Sequence, residues 1–554
     1  MSTIELPHTK TRAANRNHQV AVLLALFIFA FAIRLLPGPR TIDDSFITFR
    51  YARNILAGNG FVYNPGEHVL GTTTPLYTFL LTAVGLFSGG TNAPFPVIAM
   101  IINAMTDGVT CVFLYLIGRR FNAAIPGVGA ALVWAVAPFS VTFAIGGLET
   151  SVYVLLIVSV VYAYITAHYT RAAFLAALSL LTRPDAILLL APLAADRLWV
   201  ILRGRSNTAE RRAADSASPA TANGWGSALS ELLAFSLPVL IWLVFSTFYF
   251  GNPVPHSIAA KSLVYRLPPD AAFIRLLQHY TTPFLEHLTF GISWIAIGLV
   301  VYPFLFLVGV FRTLRVTARA WPFLVYPWLY FIAFSIANPL IFRWYLTPPL
   351  PPLILSILIG LEGIIQTGFS ALDRKVVNRS PGNLRILAYI LTALFVIILP
   401  LMLSLRGWVI KPDHGLTRPA PEMAWYELEL LYRQAASKLN DELAGYDGEA
   451  TIAAGDVGVL GFYTGAKILD TVGLNSPQSL RYYPLDQSYY EINYAIPPDL
   501  IIENRPDYVV ILEVYGRRGL LKDPRFQKDY LLLETIPTNI YGSNGMLIFK
   551  RVGK

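Results

Sequence analysis

Two adjacent carboxylates, Asp43 and Asp44, stand in "TIDDSFITFRYARN", a few residues after the apolar run "VAVLLALFIFAFAIRLLPGP". Neighbouring negative charges near a low-dielectric boundary repel, which raises the pKa of one and suits it to take a proton from a hydroxyl group. A plainer role fits the same residues. An Asp ahead of "SFITFRYARN" can cap the orphan N–H groups of a helix and favour its dipole. Segment 45–57 carries Phe46, Phe49, Ile55 and Leu56 along one side, the pattern of an amphipathic helix at a membrane surface.

Cations able to meet a phosphate leaving group are spread along the chain. Arg50 follows the acidic pair, Arg183 lies in "LTRPD", His256 and Lys261 in "GNPVPHSIAAKS", and Arg343 in "NPLIFRWY". Each is also the kind of side chain that snorkels to lipid headgroups. Glu149 in "GGLET" can bind a sugar hydroxyl or cap the helix that follows. "HYTTPFLEH" offers His279, Glu286 and His287, but not at the spacing of a zinc-binding helix. Basic side chains suffice to neutralise a single lipid phosphate, so no metal is assigned. Mg²⁺ or Mn²⁺ at Asp43 and Asp44 stays an open alternative. The glycines of "GDVGVLG", at 455, 458 and 461, are spaced G-x-x-G-x-x-G, which is not the dinucleotide fingerprint and favours tight turns and close packing.

The elements that must position these groups are mostly membrane helices. Only 14% of residues are charged and 55% are hydrophobic, against about 25% charged in an ordinary soluble domain. Repeated apolar runs of about 20 residues indicate a polytopic membrane protein set in the lipid bilayer. The single cysteine, Cys111, excludes a disulfide framework. In such a chain the net charge of +9 reports loop orientation, and no nucleic-acid partner is expected. The first apolar run is too long for a signal core and reads as an uncleaved helix entering from the cytoplasm. Further spans are expected at 98–118, 122–143, 150–167, 171–183, 184–200, 228–250, 290–312, 321–338, 343–366 and 384–404, eleven in all.

The short run 74–89 reads as an interfacial helix. Every basic loop then falls on the cytoplasmic side, and residues 405–554 fall outside a cell membrane crossed many times. Residues 1–404 form the membrane domain, with a first extracytoplasmic loop at 38–97, a flexible cytoplasmic loop at 201–227 and an outer loop at 251–289. Polar and Pro-containing segments close to membrane depth converge on the outer face, as one outward-facing site requires. No internal repeat is visible, which counts against an inverted-repeat transporter. From 405 the composition turns soluble. "PEMAWYELELLYRQAASKLNDELAG" predicts a helix with Pro421 at its start, and "TIAAGDVGVLGFYTG", "AKILDTVG", "PDYVVILEV" and "GMLIFKRV" predict strands of a small α/β domain.

"GNGFVYNPGEHVLGTTTPLYTFLL" (58–81) follows the acidic pair. Gly147 to Thr150, Arg183-Pro184-Asp185, Pro255 to Lys261, Arg343 before "WYLTPPLPPLIL", and "GDVGVLGFYTGAKILDTVGLNSP" follow in order. The ordered set resembles the GT-C glycosyltransferases, most of all the branch of mycobacterial terminal arabinofuranosyltransferases and their bacterial relatives. Tyr77 stands where Trp is common in that branch. The resemblance implies a polytopic α-helical membrane protein of about eleven spans with a C-terminal extracytoplasmic α/β domain. It implies transfer of a sugar, a pentofuranose such as arabinofuranose among the candidates, from a polyprenyl-phosphate donor to a cell-envelope glycan, lipid or protein acceptor. Asp43 would be the general base and Asp44 would orient the acceptor, with the reverse assignment open. Lys261, Arg343, Arg183, His256 and Arg50 would meet the donor phosphate, and Glu149, Tyr51, Asn64 and Glu67 the sugar or acceptor. The outer domain would align a glycan through Asn475 and Tyr463. The alternatives are a ligase or phosphotransferase using lipid-linked oligosaccharide, and a transporter or flippase of lipid-linked sugar.

Overall fold

The structure, a computed structural model, describes residues 8–204, 225–284, 291–375, 381–413, 416–424, 427–446 and 448–553. The helices up to the first masked loop are α1 (His8–Leu35), α2 (Asp43–Leu56), α3 (Pro75–Phe87), α4 (Phe95–Arg120), α5 (Ala124–Val136), α6 (Pro138–Ile145), α7 (Thr150–Ile165), α8 (Tyr169–Thr182) and α9 (Ile187–Gly204). Then come α10 (Trp225–Phe250), α11 (His256–Val264), α12 (Ala271–Tyr280), α13 (Ile292–Val316), α14 (Trp321–Ala337), α15 (Leu350–Lys375), α16 (Pro381–Ala393) and α17 (Leu399–Leu405). A helix stands at each expected span. Among the described residues seven are long and apolar enough to cross a membrane, or eight if the bent pair α5 and α6 is one span. Of the expected loop at 201–227, residues 201–204 end α9 and 225–227 start α10; 205–224, with Glu286 and His287, lie outside the described residues.

The bend of 46° between α5 and α6 follows from Pro138, which cannot continue the α5 hydrogen-bond ladder. The carbonyls it frees lie where water cannot serve them. Arg34 of α1, fully buried, donates to the Ala135 and Trp134 carbonyls and to Ser140 Oγ. Its charge is met by Asp107 of α4 at 2.9 Å, which also accepts from Trp134 Nε1 and Ser151 Oγ. Asn103 donates to the carbonyls of Ala144 and Leu148 at 2.9 Å each. These bonds hold the turn Gly146–Glu149 against α4. An Arg and an Asp, each inside an apolar run, were the signal for this pair in the sequence, and the sequence reading passed over them.

Helix α2 does not lie on the lipid surface as its amphipathic pattern suggests. Phe46, Phe49 and Tyr51 are fully buried. Phe46 packs on Phe462 at 5.2 Å between ring centroids, and Phe49 on Phe95 at 5.9 Å. The face expected to meet solvent is covered by the C-terminal domain, named the outer domain for its expected side of the membrane. Helix α3 instead leaves Phe79, Leu86 and Phe87 exposed, the apolar face an interfacial helix needs.

The outer domain opens with an antiparallel hairpin, β1 (Trp408–Asp413) and β2 (Leu416–Pro421). It continues through α18 (Glu427–Leu443), β3 (Thr451–Ala454), α19 (Gly458–Thr464), β4 (Lys467–Asp470), β5 (Tyr508–Leu512), β6 (Tyr530–Ile536) and β7 (Met546–Arg551). The sheet order is β4-β3-β5-β7-β6, with β3 parallel to β4 and β5, and β7 antiparallel to β5 and β6. Pro421 ends a strand rather than starting the helix. "GVLGFYT", expected within a strand, is helical, because a short apolar run buried on all sides has no periodicity to distinguish the two.

Candidate active site

A cavity of about 560 Å³ opens where the start of α2, the 71–74 loop, the turn before α7, α11 and residues 334–345 meet. Asp44, Glu149, Arg183, Asp185, Lys261 and Tyr345 are on its wall. Burial raises the Asp44 carboxyl above the usual carboxylate range, and the positive charge of Lys261 partly offsets the rise. Burial works against the Lys261 ammonium, but Tyr345 and Asp44 together hold its pKa above the ordinary value. Its Nζ lies 4.9 Å from the Phe342 ring centroid and 6.0 Å from that of Tyr345.

Arg183 is brought to the cavity but is already engaged. It forks onto Asp185 at 3.0 and 3.1 Å and donates to Glu149 Oε1 at 3.2 Å. Its guanidinium lies 4.8 Å from the Tyr345 ring centroid. Two carboxylates therefore share one cation, and Arg183 shapes the wall more than it offers free charge to a phosphate. Glu149 occupies the N-cap position of α7 without a capping side-chain bond, so the cap reading gives way to this ion pair. Asp185, unassigned from sequence although it sits in the quoted "LTRPD", also accepts from Tyr330 Oη at 3.2 Å.

Asp43 faces away from the cavity. Its two oxygens accept the backbone N–H groups of Gly458 and Val459, each at 2.8 Å. It is a helix cap after all, but of α19 and not of its own helix. Burial and the charge of Asp456 push its carboxyl up, while these N–H groups pull it down. With both oxygens so used, the pair does not present two carboxylates to one Mg²⁺ or Mn²⁺. Among the described residues no group of three or more His, Cys, Asp or Glu side chains is placed to hold a metal ion, and His279 is buried with its Nε2 on the Leu346 carbonyl.

Four other expected site residues belong to the same interface and are corrected with Asp43. Arg50 Nε donates to the Tyr63 carbonyl at 2.7 Å and its Nη2 to that of Ala466 at 2.8 Å, so it meets the outer domain and not a donor phosphate. Asn64 pairs with the Ile468 backbone in both directions, at 2.9 and 3.1 Å. Glu67 pairs with Lys467 at 2.6 Å, and Tyr51 Oη reaches the Val69 carbonyl at 2.7 Å and Asn475 Oδ1 at 3.3 Å. Asn475 is buried beside Asp470, and Tyr463 packs on Phe46. Glycine is required on the far side. A Cβ at Gly458 would lie 1.8 Å from the Asp43 carbonyl oxygen, and one at Gly461 2.2 Å from Tyr63 Oη.

The remaining two cations are near the cavity but not on its wall. His256 starts α11, its N–H on the Leu70 carbonyl and its Nε2 buried without a hydrogen-bond partner; burial lowers its pKa. Arg343 precedes the cavity residues Trp344 and Tyr345, and its charge acts on Tyr541 of the outer domain. The arrangement thus offers one half-buried carboxylate and one half-buried ammonium on the wall of one cavity, beside a braced Arg between two acids.

A family model described as a domain of unknown function (DUF8728) matches residues 423–549, most of the outer domain. A terminal β-(1→2)-arabinofuranosyltransferase from Mycobacterium tuberculosis is 34% identical over 113 residues, and the match spans 20% of this chain and 18% of that protein. Among solved structures, the oligosaccharyltransferase AglB from Archaeoglobus fulgidus, in complex with an inhibitory peptide and a dolichol-phosphate, has a TM-score of 0.55 at 13% identity, covering 94% of this chain and 73% of that one. ArnT from Cupriavidus metallidurans bound to undecaprenyl phosphate has a TM-score of 0.52 at 13% identity, covering 97% and 98%.

Proposed function

We infer, from the polytopic GT-C glycosyltransferase fold that these likenesses give the chain, that it moves a sugar from a polyprenyl-phosphate donor to a hydroxyl of an outer-face glycan, lipid or protein acceptor. The observation that carries this reading is Asp44 and Lys261 sharing one cavity beside the membrane helices. The bond between the sugar and the phosphate oxygen breaks, and the phosphate keeps the electron pair. Lys261 stabilises that departing charge. The acceptor oxygen bonds to the sugar, and its proton passes to Asp44. The local match to an arabinofuranosyltransferase supports a pentofuranose donor, and the likeness to an oligosaccharyltransferase supports a second reading in which a lipid-linked oligosaccharide is the donor.

Incubating the purified protein with a panel of polyprenyl-phosphate monosaccharides and lipid-linked oligosaccharides tests both. Release of sugar from none of them ends the transferase reading. With an active donor in hand, Lys261→Ala is expected to weaken binding of the polyprenyl-phosphate donor about 10- to 150-fold, since hydrogen bonds to charged groups are worth about 1.5–3 kcal/mol. The pH profile should move too. Asp44 works only when ionised, and activity falls as pH drops through its pKa. Removing Lys261 takes away the charge that lowers this pKa, so the acid limb should shift to higher pH. Unchanged donor affinity and an unmoved limb would assign Lys261 to headgroup contact.

The basic loops support an orientation with the N-terminus in the cytoplasm and the outer domain outside. In a Cys111→Ala background, a membrane-impermeant thiol reagent should label Asn440→Cys in intact cells and leave Asp215→Cys unlabelled. The opposite pattern reverses the orientation.

A further inference from the structure

The outer domain carries a feature that the transfer reaction above does not use. From β3 the chain crosses through α19 to β4 on one side, and from β4 it returns to β5 on the other side of β3. The carboxyl ends of β3 and β5 therefore form a topological switch point, the place where open α/β sheets hold ligands. Asp456 follows β3, and Tyr515 follows β5. Tyr541, from the turn before β7, places its ring 6.3 Å from that of Tyr515, tilted by 47° to it.

Three further observations point to a ligand here. Tyr541 is 41% exposed and adopts a left-handed backbone (φ 56°, ψ 21°), which a bulky residue rarely takes. Its ring is thus held out at a cost to the backbone. Asp456 is only partly buried and accepts one hydrogen bond, from Tyr432 Oη at 2.9 Å to Oδ2, and none on its other oxygen among the described residues. The switch point also faces the cavity. Tyr265 is on the cavity wall, its ring lies 6.2 Å from that of Tyr494, and the Tyr494 ring lies 5.1 Å from that of Tyr515.

We propose that the β3/β5 switch point is an acceptor subsite, holding one sugar ring of a neutral glycan against Tyr541 and Tyr515 with its hydroxyls on Asp456. The proposal rests on the glycosyl-transfer reading. Flat ring faces cover the apolar side of a sugar, while a carboxylate accepts from hydroxyl groups. A glycan seated there points its next residue past Tyr265 towards Asp44, so this subsite chooses the acceptor while the cavity holds the donor.

Full-length protein in nanodiscs, screened against an array of neutral oligosaccharides, provides the test. At least one oligosaccharide should bind. Its Kd should rise about tenfold or more in Tyr541→Ala, a loss of roughly 1.4 kcal/mol or more, and stay close to wild type in Tyr541→Phe, which keeps the ring. Affinity for undecaprenyl phosphate should be equal in all three proteins. Binding of no oligosaccharide, or equal glycan affinity in wild type and Tyr541→Ala, overturns the proposal. Glycan binding that depends on Tyr541 in a protein that consumes no lipid-phosphate sugar would leave the subsite standing and remove the transferase reading.

Discussion

Asp44→Asn is expected to lower turnover about 10²–10⁴-fold at nearly unchanged thermal stability. The amide is nearly the same size and fills the same wall of the cavity, but it cannot take the acceptor's proton. Asp43→Asn should behave in the opposite way. Its carboxylate accepts two backbone N–H groups, and an amide has one oxygen to offer and turns an NH₂ group towards the other donor. The loss should appear mainly as destabilisation, of the order of 1.5–3 kcal/mol for a hydrogen bond to a charged group. Thermal unfolding and single-turnover rates, measured on both variants with one donor and one acceptor, separate the two roles. Near-wild-type turnover in Asp44→Asn would falsify its assignment as the base. A turnover collapse in Asp43→Asn without loss of stability would return that role to Asp43.

Gly458→Ala should be the most disruptive small substitution in the outer domain. The added methyl would meet backbone, the Asp43 carbonyl oxygen at 1.8 Å, where no flexible side chain can yield. Either α19 withdraws from α2, losing both bonds to Asp43, or α2 moves and carries Asp44 with it. Overpacking alone costs about 1–3 kcal/mol, and the lost cap adds a similar amount. Both activity and the unfolding temperature should fall. Gly445→Ala is the matched control, because nothing lies within 4 Å of its added carbon. A Gly458→Ala protein as stable and active as Gly445→Ala would mean that the α2–α19 contact does not position the site.

The polytopic helical character was legible because apolar runs are local signals, and a helix stands at each expected span. The acidic pair was legible as well, but not its division of labour. Adjacent residues on a helix point about 100° apart, so one of two neighbours could face the cavity and the other the outer domain. Which did which depended on partners 415 residues away. The same distance explains Arg50, Tyr51, Asn64 and Glu67. Their types suit a polar site, and they are spent instead on backbone and side-chain groups of 466–475. Short range could have helped at one place. The glycines of "GDVGVLG" were read as close-packing residues, and Gly458 and Gly461 are where α19 meets α2.

The seam between α2 and α19 also sets a schedule for the making of the protein. Helix α2 is synthesised early, and the N–H groups that its Asp43 caps are reached only 415 residues later. At about 5–20 residues per second, the ribosome needs roughly 20–80 s to cover that interval. For most of that time the membrane helices are still being made, and the face of α2 that meets α19 stays uncovered. With the outer domain exported as proposed, the α2–α19 seam closes only after that domain has been translocated and folded. On the proposed reading, a half-made or stalled chain lacks the contact that holds the start of α2 in place, and that contact is supplied by a late part of the protein.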